Sequence, residues 1–385
     1  VSRLARALLC AGLFTSTAYA GTPAPIMPGE RPAPNSTESE LWYGMDQAER
    51  DLKSSPLLVR DPALNRYVYD VACKVAQEHC HDLRVYVVDV PVFNASMAPN
   101  GTMIVFTGAL LRMQDEAELA LVLGHEFAHF RQRHSLRYWN KAKNTTAFLS
   151  TFTVLSGFSV VSVVAQLGGM ATVSKFSRDM EREADRIGFT QATGRGYDPD
   201  AGAEIWGRLL REEQASRRPK PWPAFASHPN TAERLEDTAA AAKAFQGTQK
   251  DIGREAYQAA IRPHLEHWLD AELSRRTYDT SIQAIGELKA QADPQDAALY
   301  SFFLAEAYRQ RGRNDDRTTA ARYYAESVGQ AGTPPAAWRE HGYALRDHGE
   351  RTAAADAFRR YLTLEPNASD RSFIESTLSQ METTP

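Results

Sequence analysis

The chain has 385 residues, 43% of them hydrophobic and 24% charged, with 44 Lys and Arg against 48 Asp and Glu for a net charge of −4. That length suits two or three domains with a real apolar core. The weak acidity excludes a polyanion binder held by bulk charge, and 23 Gly with 3 Cys exclude a collagen-like or disulfide-dense scaffold.

Residues 1–20 read as an export signal: Arg3 and Arg6 precede an apolar run from Ala7 to Phe14, and Ala18-Tyr19-Ala20 fits cleavage after Ala20. The run is too short to cross a bilayer. Cys10 lies inside it behind the bulky Leu8 and Leu9, which speaks against a lipoprotein. The exported chain keeps Cys73 and Cys80, and an oxidising compartment favours a disulfide between them. In a continuous helix they would stand about 10 Å apart, so the bond requires the helix to end near Glu78. Two buried free thiols are the alternative.

Residues 21–41 form a flexible lead rich in Pro, Gly, Ser and Thr. Helical patterns follow over Asp46–Lys53 and Asp61–Glu78. Then come two strand-like runs, Leu83–Val90 and Thr102–Thr107, joined through Pro91–Gly101 as an expected hairpin. Asp115 with Glu118 reads as a capping pair before Leu119, Val122, Leu123 and Phe127 at helical spacing. The fold class is mainly α with a small β element.

From about Asp251 the chain reads as stacked helical hairpins. Counting from Pro335, residues Trp338, Gly342, Leu345, Ala354, Phe358 and Pro366 occupy the packing slots of a 34-residue tetratricopeptide repeat. A weaker unit holds Leu304, Ala305, Tyr308, Ala320 and Tyr324, and a vaguer hairpin spans Ala271–Pro294. A generic helical bundle is the alternative.

The chemistry centres on His125-Glu126-Phe127-Ala128-His129. Residues four apart share a helix face, so both imidazoles can meet one metal ion. Glu126 then reaches a metal-bound water without being a ligand, the arrangement that zinc hydrolysis needs. A third ligand is still required. On a continuous helix His134 would lie on the opposite face, which rejects it. Glu181 is the better candidate, with Asp185 one turn on to accept from the far nitrogen of a ligating histidine. Glu183 points away from that face, and its role is open.

HExxH followed by Ser177-Arg178, Glu181 and Ala184-Asp185 resembles the HtpX-like zinc metallopeptidase family, with its CAAX prenyl endopeptidases and mitochondrial Oma-type proteases. Asn94-Ala95, Gly101 through Gly108-Ala109-Leu110-Leu111, and Ser227-His228-Pro229 with Arg234 resemble further family elements, so the likeness covers about residues 42–245. It implies a gluzincin-type metallopeptidase domain over 42–250, then tetratricopeptide-like repeats over 251–385. It further implies one Zn2+ per chain on His125, His129 and Glu181, with Glu126 as general base and Asp185 as orienter. Asn94 and Ala95 would lie on a substrate-binding edge strand. With the export signal and the repeats, the whole resembles a BepA-like periplasmic subset acting on outer-membrane protein assembly and quality control. Unfolded or misassembled polypeptides are the expected substrates. Outer-membrane assembly machinery is the expected partner of the repeats, and no nucleic acid is expected. The competing reading is a chaperone-like adaptor with weak or regulated proteolysis.

His228 has three readings: a donor to the developing oxyanion, a blocking ligand on the open zinc position that keeps the enzyme latent, or a cap for a helix starting near Asn230. Residues 144–174 carry no charge over 31 positions, with 15 apolar residues in the 25 from Ala147 to Ala171. A single span would put His129 and Glu181 on opposite sides of a membrane, and two spans need about 40 residues. This leaves a helical hairpin, packed in the core or dipping one leaflet deep as peripheral membrane contact.

Overall fold

The computed structural model describes residues 23–142, 176–217, 231–248 and 250–383. The expected signal segment, the apolar run 144–174 and His228 lie outside these residues.

The first two helices begin on side-chain caps. In α1 (Thr37–Ser54) the Ser36 hydroxyl accepts from the Ser39 N–H, and in α2 (Pro62–Ala76) Asp61 accepts from Ala63 and Leu64. Gln77 then takes a φ of 58°, and a short 3-10 turn over Gln77–Asp82 brings Cys80 back on Cys73. Their Cα atoms stand 4.6 Å apart and the two are disulfide-bonded. His79, inside this turn, packs on Phe127 and Phe130.

Three strands follow: β1 (Arg84–Val88), β2 (Ala95–Met97) and β3 (Thr102–Phe106), in the order β1-β3-β2. This corrects the expected hairpin of the two longer runs. β1 lies parallel to β3, with Arg84 opposite Thr102 and Val88 opposite Phe106. The hairpin partner of β3 is instead the short β2, with Ser96 opposite Ile104. All five residues of β3 are buried, so it is the central strand, and its backbone groups need partners on both edges. Gly101, at a φ of 90°, closes the tight turn between β2 and β3.

Helix α3 (Thr107–Arg112) leads to α4 (Glu116–Arg131), the central helix, buried along almost its whole length. The Asp115 carboxylate accepts from the Glu118 N–H at 3.0 Å, and Glu118 accepts from the Gln114 N–H at 2.9 Å. The capping pair thus forms, with its return leg one residue earlier than in a regular capping box. After α4 the chain does not continue as one helix. Arg133 adopts a φ of 52°, and α5 (His134–Ala142) sets off in a new direction. Arg133 holds that turn through ion pairs to Glu30 and Glu38.

Helix α6 (Arg178–Gly194), capped by Ser177, crosses α4 at Gly124 and Gly188. Helices α7 (Ala201–Ala215) and α8 (Thr231–Ala244) pack on each other beside this crossing.

The C-terminal region consists of α9 (Arg254–Ile261), α10 (Leu265–Ser274), α11 (Tyr278–Ala290), α12 (Ala297–Arg311), α13 (Asp316–Val328), α14 (Pro335–Asp347), α15 (Arg351–Leu364) and α16 (Arg371–Thr383). Helices α12 and α13 pair, as do α14 and α15. In the second pair Gly342 faces the Phe358 ring so closely that a Cβ would stand 2.7 Å from it. Ala354 and Phe358 are fully buried there.

One apolar core runs from Val68 and Leu119 through Tyr257, Trp268 and Ile285 to Tyr324. A buried ion network crosses the same boundary. Arg112 donates to Glu212 at 2.6 and 2.7 Å and to Glu272 at 3.0 Å, while Arg275 and Ser281 also donate to Glu272. No helix among the described residues is long and apolar enough to cross a membrane.

Candidate metal centre

The α4–α6 crossing brings His125, His129 and Glu181 together, all at least nine-tenths buried. The two imidazole Nε2 atoms lie 3.0 Å apart, and the Glu181 carboxylate oxygens stand 3.6 Å from His125 Nε2 and 3.7 Å from His129 Nε2. These are the residues that the sequence pairs by helical spacing, one turn apart on α4 and on a second helix.

The donor set fits a metal ion. The Asp185 carboxylate lies 2.8 Å from His125 Nδ1. Burial pushes the Asp185 carboxyl up, but the Arg234 and His125 side chains outweigh this and hold it far below the usual carboxylate range. An ionised carboxylate can only accept, which favours the proton on His125 Nδ1 and a lone pair on Nε2; Arg234 Nη2, 2.9 Å from the same Nδ1, donates to Asp185 at 2.5 Å. Burial, helped by the Arg234 charge, pushes the His125 imidazole down to about 4, so it is neutral near pH 7. A lone pair of His125, a nitrogen of His129 and a carboxylate then converge on one buried point. Such a set calls for a cation.

In the sequence Arg234, on α8, stands out only through the element it forms with Ser227-His228-Pro229. Its guanidinium donates to both Asp185 oxygens at 2.9 and 2.5 Å and lies 3.7 Å over the Trp206 ring. Trp206 in turn meets the edge of Phe93, next to Asn94. No local spacing could have announced this stack, because its members come from α8, α7 and the β1–β2 connection.

Glu126 is 4% exposed, and its charge contributes to keeping Arg234 protonated. Ala95 is buried on β2, and the Asn94 carbonyl accepts from the Phe106 N–H at 3.0 Å. His228 is outside the described residues. Among those described, one other acidic trio occurs, Asp115, Glu118 and Glu204, but Arg208 already pairs with Glu118.

His134 is not part of the converging set. The helix break at Arg133 nevertheless turns it back toward the site, so the opposite-face argument fails. His134 Nδ1 lies 2.9 Å from His129 Nδ1, and Glu183 lies 3.2 Å from His134 Nε2.

A buried helix bearing two histidines one turn apart, crossed by a helix that supplies a glutamate, defines a metallopeptidase domain. Residues 59–242, just under half of the chain, match the family model of peptidase family M48, which marks this segment as a domain of that family. It is 25% identical over 247 residues to a putative β-barrel assembly-enhancing protease of Vibrio cholerae, covering 60% of this chain and 48% of that protein. It is 28% identical over 218 residues to the β-barrel assembly-enhancing protease of Escherichia coli K12, covering 52% and 43%. To the mitochondrial metalloendopeptidase OMA1 of Arabidopsis thaliana it is 35% identical over 125 residues, covering 32% and 25%. The aligned stretches span less than half the length of each of these relatives.

Proposed function

We propose that the chain is an exported zinc endopeptidase that cuts unfolded or misassembled polypeptides, outer-membrane proteins among them. The observation that carries this reading is the convergence of His125, His129 and Glu181 on one buried point. These three would hold Zn2+, one per chain. When bound, the ion polarises the scissile carbonyl and acidifies water.

The remaining work falls to the chain's own groups. Glu126 takes the proton of the attacking water and passes it to the leaving amine. Asp185 fixes the His125 tautomer, and Arg234 fixes Asp185. An extended substrate would pair with the outer edge of β2, where no described strand lies. The register turns the Asn94 and Ser96 backbones toward β3, so Ala95 would offer its N–H and C=O to the substrate. Asn94 would contribute through its side chain. Backbone pairing gives broad sequence tolerance and demands an unfolded segment.

The Cys73–Cys80 bond supports an oxidising compartment such as the periplasm. The relatives named for β-barrel assembly support a partner for the paired C-terminal helices, read as tetratricopeptide-like, in outer-membrane assembly.

The test compares the zinc-loaded mature chain, the same chain with a chelator, and Glu126→Gln, using an unfolded protein as substrate. Cleavage by the untreated wild type alone, with zinc retained in Glu126→Gln, is the expected result. Equal cleavage by Glu126→Gln removes its role as base. No cleavage by any sample although zinc is bound would favour the adaptor reading or latency through His228. His228→Ala then separates the two, because only a latent site gains activity.

A further inference from the structure

We propose that His134 and Glu183 are positioning residues that fix the tautomer and orientation of His129, forming a second relay beside Asp185 and His125. The inference rests on the metal-site reading above. If His129 ligates, it does so through Nε2, the nitrogen that faces His125 and Glu181. A neutral imidazole has one N–H, which must then be on Nδ1. His129 Nδ1 lies 2.9 Å from His134 Nδ1, so His134 accepts there and carries its own proton on Nε2. At that position the Glu183 carboxylate stands 3.2 Å away, ready to accept, and it also accepts from Arg137 at 2.9 Å.

Each donor in the chain from His129 to Glu183 therefore faces an acceptor. The reverse order does not close. If His134 gave its proton to His129, its bare Nε2 would face a carboxylate, and His129 would have its proton on the nitrogen needed for the metal. Glu183, which touches neither histidine of the HExxH motif, thus selects the lone pair that His129 presents. Phe176 holds the ring plane by stacking on His129 at 4.2 Å between centroids. The left-handed turn at Arg133 makes the relay possible by aiming His134 back at α4.

Hydrogen bonds of this kind orient a ligand and raise its basicity, and losing one typically costs about 10–100-fold in metal affinity. Zinc affinity is measured by competition with a colorimetric chelator on the wild type, His134→Leu, His134→Asn and Glu183→Ala, each checked for folding by circular dichroism. His134→Leu is expected to weaken zinc binding about 10–100-fold. His134→Asn should recover most of that, because its amide oxygen replaces the accepting Nδ1. Glu183→Ala, at a partly exposed position, should weaken binding in the same direction and serves if His134→Leu does not fold. Wild-type affinity in His134→Leu or Glu183→Ala overturns the relay, as does His134→Asn binding as poorly as His134→Leu. A wild-type chain that takes up no zinc overturns the metal-site reading and this inference with it.

Discussion

Gly124 and Gly188 meet where α4 crosses α6, so closely that a Cβ on Gly188 would stand 2.7 Å from the His125 backbone nitrogen. At Gly188 nothing larger than hydrogen fits without moving a helix. The crossing lies one residue before His125 and three after Asp185, so it sets the distance over which Glu181 and Asp185 reach the histidines.

Gly188→Ala is therefore expected to force the helices apart and to cost about 1–3 kcal/mol as overpacking, despite the better helix propensity of alanine. Metal retention after dialysis should fall along with the thermal midpoint. Gly124→Ala, where the nearest contact is 3.2 Å, should be milder. Full zinc content in Gly188→Ala would mean that the crossing has slack.

Arg234→Lys keeps the charge beside Asp185 but loses the two-pronged contact and the stack on Trp206. Lysine cannot reproduce that geometry. Zinc affinity is expected to drop about tenfold, within the range for partners of metal ligands, with the folded state preserved by circular dichroism. Unchanged affinity would show that only the positive charge counts.

Glu49, on α1, gives the chain an acid-sensitive point. Burial raises its carboxyl, but hydrogen bonds from Tyr86, Lys53 and Arg84 win and hold it at about 2, down from an ordinary 4.5. Below pH 4.5 the unfolded chain takes up a proton that the folded one refuses. The contribution is therefore fully present above that pH and is lost as pH falls toward 2. Glu49→Gln should cost about 1–3 kcal/mol at neutral pH and flatten the acid side of the stability curve. Urea titrations of both proteins at neutral and acid pH read this directly, and parallel curves would reject it.

The Cys73–Cys80 bond closes a short loop, which by chain entropy stabilises the fold by about 2–3 kcal/mol. Reduction, or Cys73→Ser with Cys80→Ser, should lower the thermal midpoint. Because His79 packs on Phe127 and Phe130, the loosened turn should also speed amide exchange at the end of α4. A midpoint indifferent to reductant would argue for thiols in the native protein.

The sequence made α4 and its His125–His129 pair legible, because helical spacing alone determines which side chains share a face. The α14–α15 hairpin was legible for a related reason, since Gly342 and Phe358 form a matched small-and-large pair. The sheet was not: Ala95–Met97 carries no run of β-branched residues, and β2 exists because β3 is buried and needs a second neighbour. His134 was hidden by a different cause. Its direction depends on a left-handed residue at 133 that is arginine, not glycine, held by acids about a hundred positions earlier.

The buried network of Arg112, Glu212 and Glu272 has a mechanical consequence. Arg112 keeps Glu212 and Glu272 keeps Arg275 on either side, so the halves are joined within this network by one buried contact, Arg112 to Glu272 at 3.0 Å. A load placed on the helical hairpins is delivered through Arg112 into α3 and through Glu212 into α7, the helix whose Trp206 underlies Arg234.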